Sequence, residues 1–171
     1  MRHTSKSATA EQRFRAVFGH LGAVTGYARR RGSPDPEAIA AETMTIAWRR
    51  LADVPRDDPR PWLFVTARNL LHAERRQRSR AAATAPQQRT VTTPDPVGIE
   101  PRVQYALASL SPGDREALML VAFDDLTPAM AARALGITPS AFRVRLHRAR
   151  RRFLAALDGA GHPARTEMEI A

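Results

Sequence analysis

The sequence has no cysteine, a single lysine and few aromatic residues, which make up 6% of the chain. Without cysteine there are no disulfides, thiolate metal sites or cysteine nucleophiles. The first ten residues are polar and lack the apolar core of a secretory signal, and no apolar run is long enough to span a bilayer. We therefore expect a soluble, cytoplasmic protein that does not bind membranes.

Motifs that build active sites are also missing. The carboxylates Asp57–Asp58 and Asp124–Asp125 occur in pairs, but adjacent side chains on a helix or loop point apart, so we interpret them as turn and surface residues. The five histidines show neither HxxxH nor HExxH spacing, and there is no glycine-rich phosphate loop or GxSxG elbow. These absences predict no catalytic residue, metal, cofactor or small-molecule substrate, and thus a protein that is not an enzyme.

What the chain does have is positive charge. Its formal net charge is +10, and its sequence pI is near 11.5, a balance that attracts phosphate polymers or anionic membrane surfaces. Lys6 is the only lysine, so almost all of this charge is arginine. Because composition alone can make a chain arginine-rich, the positions of the arginines carry more information than their number.

The apolar residues recur at three- and four-residue steps, which predicts an all-α fold with essentially no sheet. We expect a first helix over residues 10–31, a second over residues 35–51 started by Asp35–Pro36, and a third beginning at Pro61. Trp48 and Trp62 lie on apolar stripes of these helices, and we assign both to packing rather than to base stacking.

Residues 81–101 lose this periodicity and are rich in Ala, Thr, Gln and Pro, a composition typical of flexible linkers. The sequence therefore predicts two small helical domains, over residues 10–80 and 102–157, joined by the linker 81–101. The polar residues 158–171 are expected to form a flexible tail.

A helix-turn-helix is predicted in the second domain. Thr127–Pro128 and Thr138–Pro139 are typical helix starts, and Gly136 between the two helices can adopt the left-handed conformation of a sharp turn. On the second of these helices, Phe142 and Leu146 share a narrow apolar stripe. The opposite side carries arginines and suits a major groove, where leading residues read base edges and trailing arginines hold phosphates.

Residues 107–157, which read LASLSPGDREALMLVAFDDLTPAMAARALGITPSAFRVRLHRARRRFLAAL, resemble region 4 of extracytoplasmic-function sigma factors. The run Arg143 to Arg150 is the most specific part of this resemblance. It implies that the following residues meet the minus-35 promoter element: Ser140, Arg143, Val144, His147, Arg148 and Arg151.

The first domain resembles sigma region 2 through Glu42–Thr43, Ala47-Trp48-Arg49-Arg50, Pro61-Trp62-Leu63 and Ala67-Arg68-Asn69-Leu70. In that family one helix docks on core RNA polymerase, and the following loop and helix capture and separate the minus-10 element. The resemblance implies minus-10 contacts by Arg68, Asn69, His72, Arg75 and Arg76. It implies polymerase contacts by Glu42, Ala38, Ala41 and Arg49.

The sequence departs from the family pattern at two positions, and alternative functions remain open. The family commonly has Asp and Gln where this chain has Ala38 and Ala41, which shifts polymerase binding toward Glu42 and apolar contacts or weakens it. Core RNA polymerase, promoter DNA and an anti-sigma factor are the implied partners. The alternatives are a stand-alone helix-turn-helix regulator that acts without polymerase, a protein lying on a membrane surface and, more distantly, a nuclease.

Overall fold

The computed structural model describes residues 3–84 and 100–160, and these form α-helices and no strand. The chain divides into two compact units, residues 1–97 and 98–171. The all-α prediction is confirmed for the described residues. The helices of the first unit are α1 (His3–Phe18), α2 (Leu21–Arg30), α3 (Pro36–Arg49) and α4 (Arg60–Thr84). Those of the second are α5 (Pro101–Ala108), α6 (Pro112–Ala122), α7 (Pro128–Leu135) and α8 (Pro139–Ala160).

The core of the first unit is built by α2, α3 and α4. Tyr27 of α2 stacks on Phe64 of α4, with ring centroids 4.7 Å apart and planes 10° from parallel. Both side chains are almost fully buried, and offset stacking of this kind adds about 0.5–1.5 kcal/mol beyond area burial. α3 begins as expected, because the Ala38 N–H donates to the Asp35 carboxylate over 2.8 Å and Pro36 follows the cap.

The first helix differs from its prediction. The single helix expected over residues 10–31 is two helices, α1 and α2, separated by a turn at Gly19–His20. Glycine weakens a helix interior, and the His20 N–H bonds back only three residues, to the Val17 carbonyl at 3.0 Å. The apolar stripe continues through this turn, so periodicity alone did not reveal the break.

The second unit is organised by caps at the helix starts. The Ser111, Thr127 and Thr138 hydroxyls each accept a hydrogen bond from the backbone N–H three residues later. A proline follows each cap, which is favourable because the first helical N–H has no intrahelical partner. The buried stripe of α8 is formed by Phe142, Leu146 and Ala149, as predicted.

The helix ends differ from the predicted linker and tail. α4 extends through Thr84, so residues 81–84 of the predicted linker are helical, and the run of alanines at 81–83 explains this because alanine is the best helix former. Residues 85–99 lie outside the described residues, and α5 already begins at Pro101. α8 continues to Ala160, so residues 158–160 of the predicted tail are helical, and residues 161–171 lie outside the described ranges. The flexibility of linker and tail remains a prediction.

Candidate nucleic-acid interface

The turn between α7 and α8 sets the direction of the basic helix. Gly136 has φ 66° and ψ 32°, the left-handed conformation that is easily reached only without a side chain. Its neighbour Ile137 donates a backbone hydrogen bond to the Ala132 carbonyl at 3.1 Å, which closes the end of α7. The Thr138 hydroxyl then accepts from the Ala141 N–H at 3.2 Å and starts α8. This is the predicted helix-turn-helix layout.

The outer face of α8 is exposed along its length. Val144 keeps 53% of its surface accessible, and a valine open to solvent among arginines offers an apolar contact of the kind that recognises a thymine methyl group. The hydroxyls of Ser140 and Thr138 lie 3.1 Å apart at the leading end of the helix. The sequence-predicted minus-35 residues are all exposed: Ser140, Arg143, Val144, His147, Arg148 and Arg151.

The arginines of α8 fall into two groups. Arg143, Arg148 and Arg151 have no carboxylate within ion-pair distance in the described part of the chain. Arg152, which the sequence placed at an edge of the basic face, instead donates to the buried carboxylate of Asp114 at 2.6 Å. It therefore ties α8 to α6, a role that sequence spacing did not reveal.

The α4 side chains predicted to meet the minus-10 element lie on one face of the helix by their spacing. Asn69, His72, Arg75 and Arg76 are exposed, and Arg68 is half-buried. The Arg75 guanidinium donates to the Arg31 carbonyl at 2.6 Å. This contact across the unit holds one end of the α4 basic face against the end of α2.

Arg31 is itself held by an aromatic stack. Its guanidinium carbon lies 3.4 Å from the centroid of the Tyr27 ring, within the range of a cation–π interaction. Tyr27 in turn stacks on Phe64. The stack joins the buried core of the first unit to the arginine-bearing surface of α4.

The residues predicted to meet polymerase form the outer face of α3. Ala38, Ala41, Glu42 and Arg49 are all exposed. Trp48 was assigned to packing, and its ring does pack edge-on against Phe14 of α1, with centroids 5.0 Å apart. It lies at the margin of the core rather than inside it, because 47% of its surface is accessible.

Trp62 also differs from a core residue. It is half-buried, and the Arg50 guanidinium carbon lies 5.9 Å from its ring centroid. Both tryptophans therefore sit at the edge of the first unit's core. An apolar stripe at helical spacing shows which face packs, but not how far the neighbouring helices cover its margins.

The loop between α3 and α4 is held at both ends by its own ion pairs. Arg50 contacts Asp53 at 2.8 Å, and Arg60 contacts Asp58 at 2.9 Å. Burial acts to raise the pKa of the Asp58 carboxyl, but hydrogen bonds from the side chain and backbone of Arg60, with the charges of Arg60 and His20, outweigh it. The pKa of Asp58 is lowered from its usual value. The Asp57–Asp58 pair thus includes a loop-shaping residue.

Other kinds of site find no support in the described residues. No group of three or more potential metal ligands lies together in the ranges that the structure describes. None of the described helices combines the length and hydropathy of a membrane span.

Comparison with known protein families gives a match that lies in the second unit. Residues 101–153 match the model of sigma-70 region 4. The second unit is therefore similar to sigma-70 region 4. The match begins at the first residue of α5 and ends within α8, so it includes the whole helix-turn-helix and its exposed arginines.

Solved structures extend the likeness over both units. CnrH, solved in complex with the cytosolic domain of CnrY, is 26% identical with a TM-score of 0.55 over 84% of each chain. The sigma factor RpoE from Bartonella quintana, solved with the anti-sigma factor NepR, is 22% identical with a TM-score of 0.65 over 84% of this chain and 95% of that one.

A third match is PhyRSL from Sphingomonas sp. Fr1, solved in complex with NepR. It is 20% identical with a TM-score of 0.60 over 91% of this chain and 95% of that one. A search of curated proteins by sequence gives no match. The RpoE and PhyRSL matches show the fold, and together with the region 4 match they confirm the resemblance to extracytoplasmic-function sigma factors.

Proposed function

We propose that the chain directs core RNA polymerase to promoters and starts transcription as an extracytoplasmic-function sigma factor. The region 4 domain with its exposed α8 arginines carries this proposal. Residues 138–152 read the minus-35 duplex, residues 53–76 capture and separate the minus-10 element, and residues 36–51 dock on the polymerase. The residues between the two units set their reach, and the protein contributes no catalytic step of its own.

The charge distribution on α8 supports the minus-35 assignment. Arginines free of carboxylate partners in the described residues can neutralise phosphates or make bidentate contacts to guanine. Each neutralised phosphate contributes a slope of roughly −0.9 to the log–log dependence of binding on salt. We expect promoter binding to weaken steeply as salt rises.

The α3 surface supports the polymerase assignment. The exposed face of α3 combines the small uncharged side chains of Ala38 and Ala41 with the charged groups of Glu42 and Arg49. Such a face suits an interface in which apolar contacts are accompanied by ionic ones. Because alanines stand where the family commonly has Asp and Gln, Glu42 carries more of the specificity in this chain than it does in the family.

An anti-sigma partner is part of the proposal. RpoE was solved with the anti-sigma factor NepR, CnrH with the cytosolic domain of CnrY, and PhyRSL with NepR. We propose that an anti-sigma factor of the same kind covers the polymerase-binding surface of this chain. Its identity is to be sought by capture with the full-length protein.

A pair of charge reversals tests the proposal. Arg148→Glu should abolish promoter-specific transcription while the protein still co-purifies with core polymerase. Glu42→Lys should abolish co-purification with core polymerase, while the isolated chain keeps its weak affinity for DNA. A wild-type protein that binds a specific duplex tightly without polymerase, and never co-purifies with core enzyme, would instead be a stand-alone regulator.

A further inference from the structure

The first helix, α1, carries no sequence motif, yet it holds the loop between α3 and α4. The Arg13 guanidinium donates to the Val54 carbonyl at 2.5 Å, a contact between residues 41 positions apart. Val54 is nearly fully buried, with 2% of its surface accessible. Among the hydrogen bonds of the described residues, this one joins the middle of the loop to another helix.

The ion pairs of the loop, among the described residues, lie at its two ends. Arg50 pairs with Asp53 where α3 stops, and Arg60 pairs with Asp58 where α4 starts. Between these pairs, Pro55, Arg56 and Asp57 have no such local restraint in the described residues. The conformation of this middle part therefore depends on the buried Val54 side chain and on Arg13.

Beside this tie, α1 and the loop form an open groove of about 430 Å³. Arg13 lines it from α1, His20 from the turn after α1, and Arg56 and Asp57 from the loop. The hydrogen bond from Arg13 to Val54 is only partly buried, and Arg13 lines the groove, so water can reach this contact. The tie consequently sets the shape of the loop more than it supports the core.

We infer that Arg13 is a positioning residue, which holds the loop in the conformation that captures the minus-10 strand. This inference rests on the proposed function, which assigns strand capture to residues 53–76. A loop that is held in one conformation binds more tightly than one that adopts it only part of the time. The reason is that apparent affinity falls with the fraction of molecules whose loop is in the binding conformation. A hydrogen bond from a charged donor is strong enough to change that fraction about tenfold.

The absence of cysteine allows a direct test of loop order. Arg56→Cys introduces a single site for a spin label, whose electron paramagnetic resonance spectrum reports motion of the loop. We expect a broad, restricted spectrum in this parent and a sharper, mobile one when Arg13→Ala is added. Arg15→Ala removes an exposed arginine from the same helix and should leave the spectrum unchanged, whereas Arg13→Lys, which keeps a donor, should restore much of the restriction.

A second measurement tests the consequence for promoter opening. The full chain with native Arg56 is combined with core polymerase, and 2-aminopurine in the minus-10 element reports strand separation. Arg13→Ala should slow opening about tenfold, Arg15→Ala should stay within about twofold, and Arg13→Lys should fall between them. Co-purification with core polymerase should be equal in all of them, which a general loss of folding would not allow.

The outcomes separate this inference from the proposed function. If wild-type protein neither binds core polymerase nor opens any promoter, the proposed function is wrong. The role given to Arg13 in strand capture is then wrong as well, even if the spectra show that Arg13 restricts the motion of the loop. If wild type opens promoters and Arg13→Ala matches Arg15→Ala in either the spectra or the opening rate, only the positioning role is wrong. Should Arg13→Ala fail to fold by circular dichroism, Arg13→Gln, whose shorter side chain does not reach Val54, takes its place with the same expected results.

Discussion

The two units hold their candidate surfaces in different ways. In the second unit, α8 is set by neighbours in sequence: the Gly136 turn and the Thr138 cap. In the first unit, the loop and the α4 face depend on distant contacts, from Arg13 to Val54 and from Arg75 to Arg31. A surface held by local signals can be recognised from sequence and is sensitive to substitutions nearby, whereas one held by distant contacts is sensitive to substitutions far from it.

The largest expected effect tests whether the two cores are separate. Phe142→Ala in α8 and Phe64→Ala in α4 each remove a buried ring, and each should lower the free energy of unfolding of its own unit by about 3–5 kcal/mol. Urea unfolding, followed by hydrogen exchange of peptides from each unit, measures both. If either variant destabilised both units equally, the units would unfold as one cooperative body and their cores would not be separate.

The next effect separates the two groups of arginines on α8. Arg143→Ala should weaken promoter binding by about 1–3 kcal/mol, through loss of a base or phosphate contact, and leave unfolding unchanged. Arg152→Ala leaves the buried Asp114 carboxylate without its partner and should lower the stability of the second unit instead. Fluorescence anisotropy with polymerase holoenzyme and thermal unfolding of the free chain measure the two quantities. If both variants changed promoter affinity and thermal stability in the same way, the division of the α8 arginines into two groups would be wrong.

Two glycines should respond with opposite signs. Gly136→Ala forces a side chain into a left-handed conformation, and we expect a loss of about 1 kcal/mol in the second unit. Gly22→Ala in α2 meets no atom within 4 Å and lies in ordinary helix, so it should stabilise the first unit by about 0.5 kcal/mol. Chemical unfolding of both variants checks the signs, and a stabilising Gly136→Ala would contradict the turn described for α7 and α8.

The smallest effect is a pH dependence in the first unit. Because the folded protein lowers the pKa of Asp58, ionised Asp58 stabilises the folded state above the pKa of the unfolded chain. This stabilisation disappears as the pH falls through the lower folded pKa. Asp58→Asn should therefore reduce stability at neutral pH and make it decline less as the pH falls below about 4. Thermal midpoints across this range measure the difference, and parallel curves for wild type and variant would contradict it.

The second unit was predictable in most of its detail because its signals are local. The Ser111, Thr127 and Thr138 starts, the Gly136 turn and the exposed face of α8 were all recognisable from residue type and spacing. Arg152 was the exception, since its partner Asp114 is 38 positions away. No periodicity within α8 could have distinguished it from the arginines that have no carboxylate partner among the described residues.

The first unit was predictable in its helices but less so in its surfaces. The Gly19–His20 turn interrupts a helix without changing the apolar stripe, and the exposure of Trp48 depends on how little of it α1 covers. The tie from Arg13 to Val54 had no sequence signal, because a hydrogen bond to a backbone carbonyl requires no particular residue at the acceptor position. Arg13 stands one helical turn before the buried Val17, but this placement on α1 identifies no acceptor.

The decisive measurement of sigma activity is run-off transcription with purified core polymerase on a genomic promoter library. If the chain is a sigma factor, adding it produces RNA from discrete start sites that share a minus-35 and a minus-10 element at fixed spacing, and Arg148→Glu abolishes them. If no discrete start rises above that of core enzyme alone, the chain is not a sigma factor.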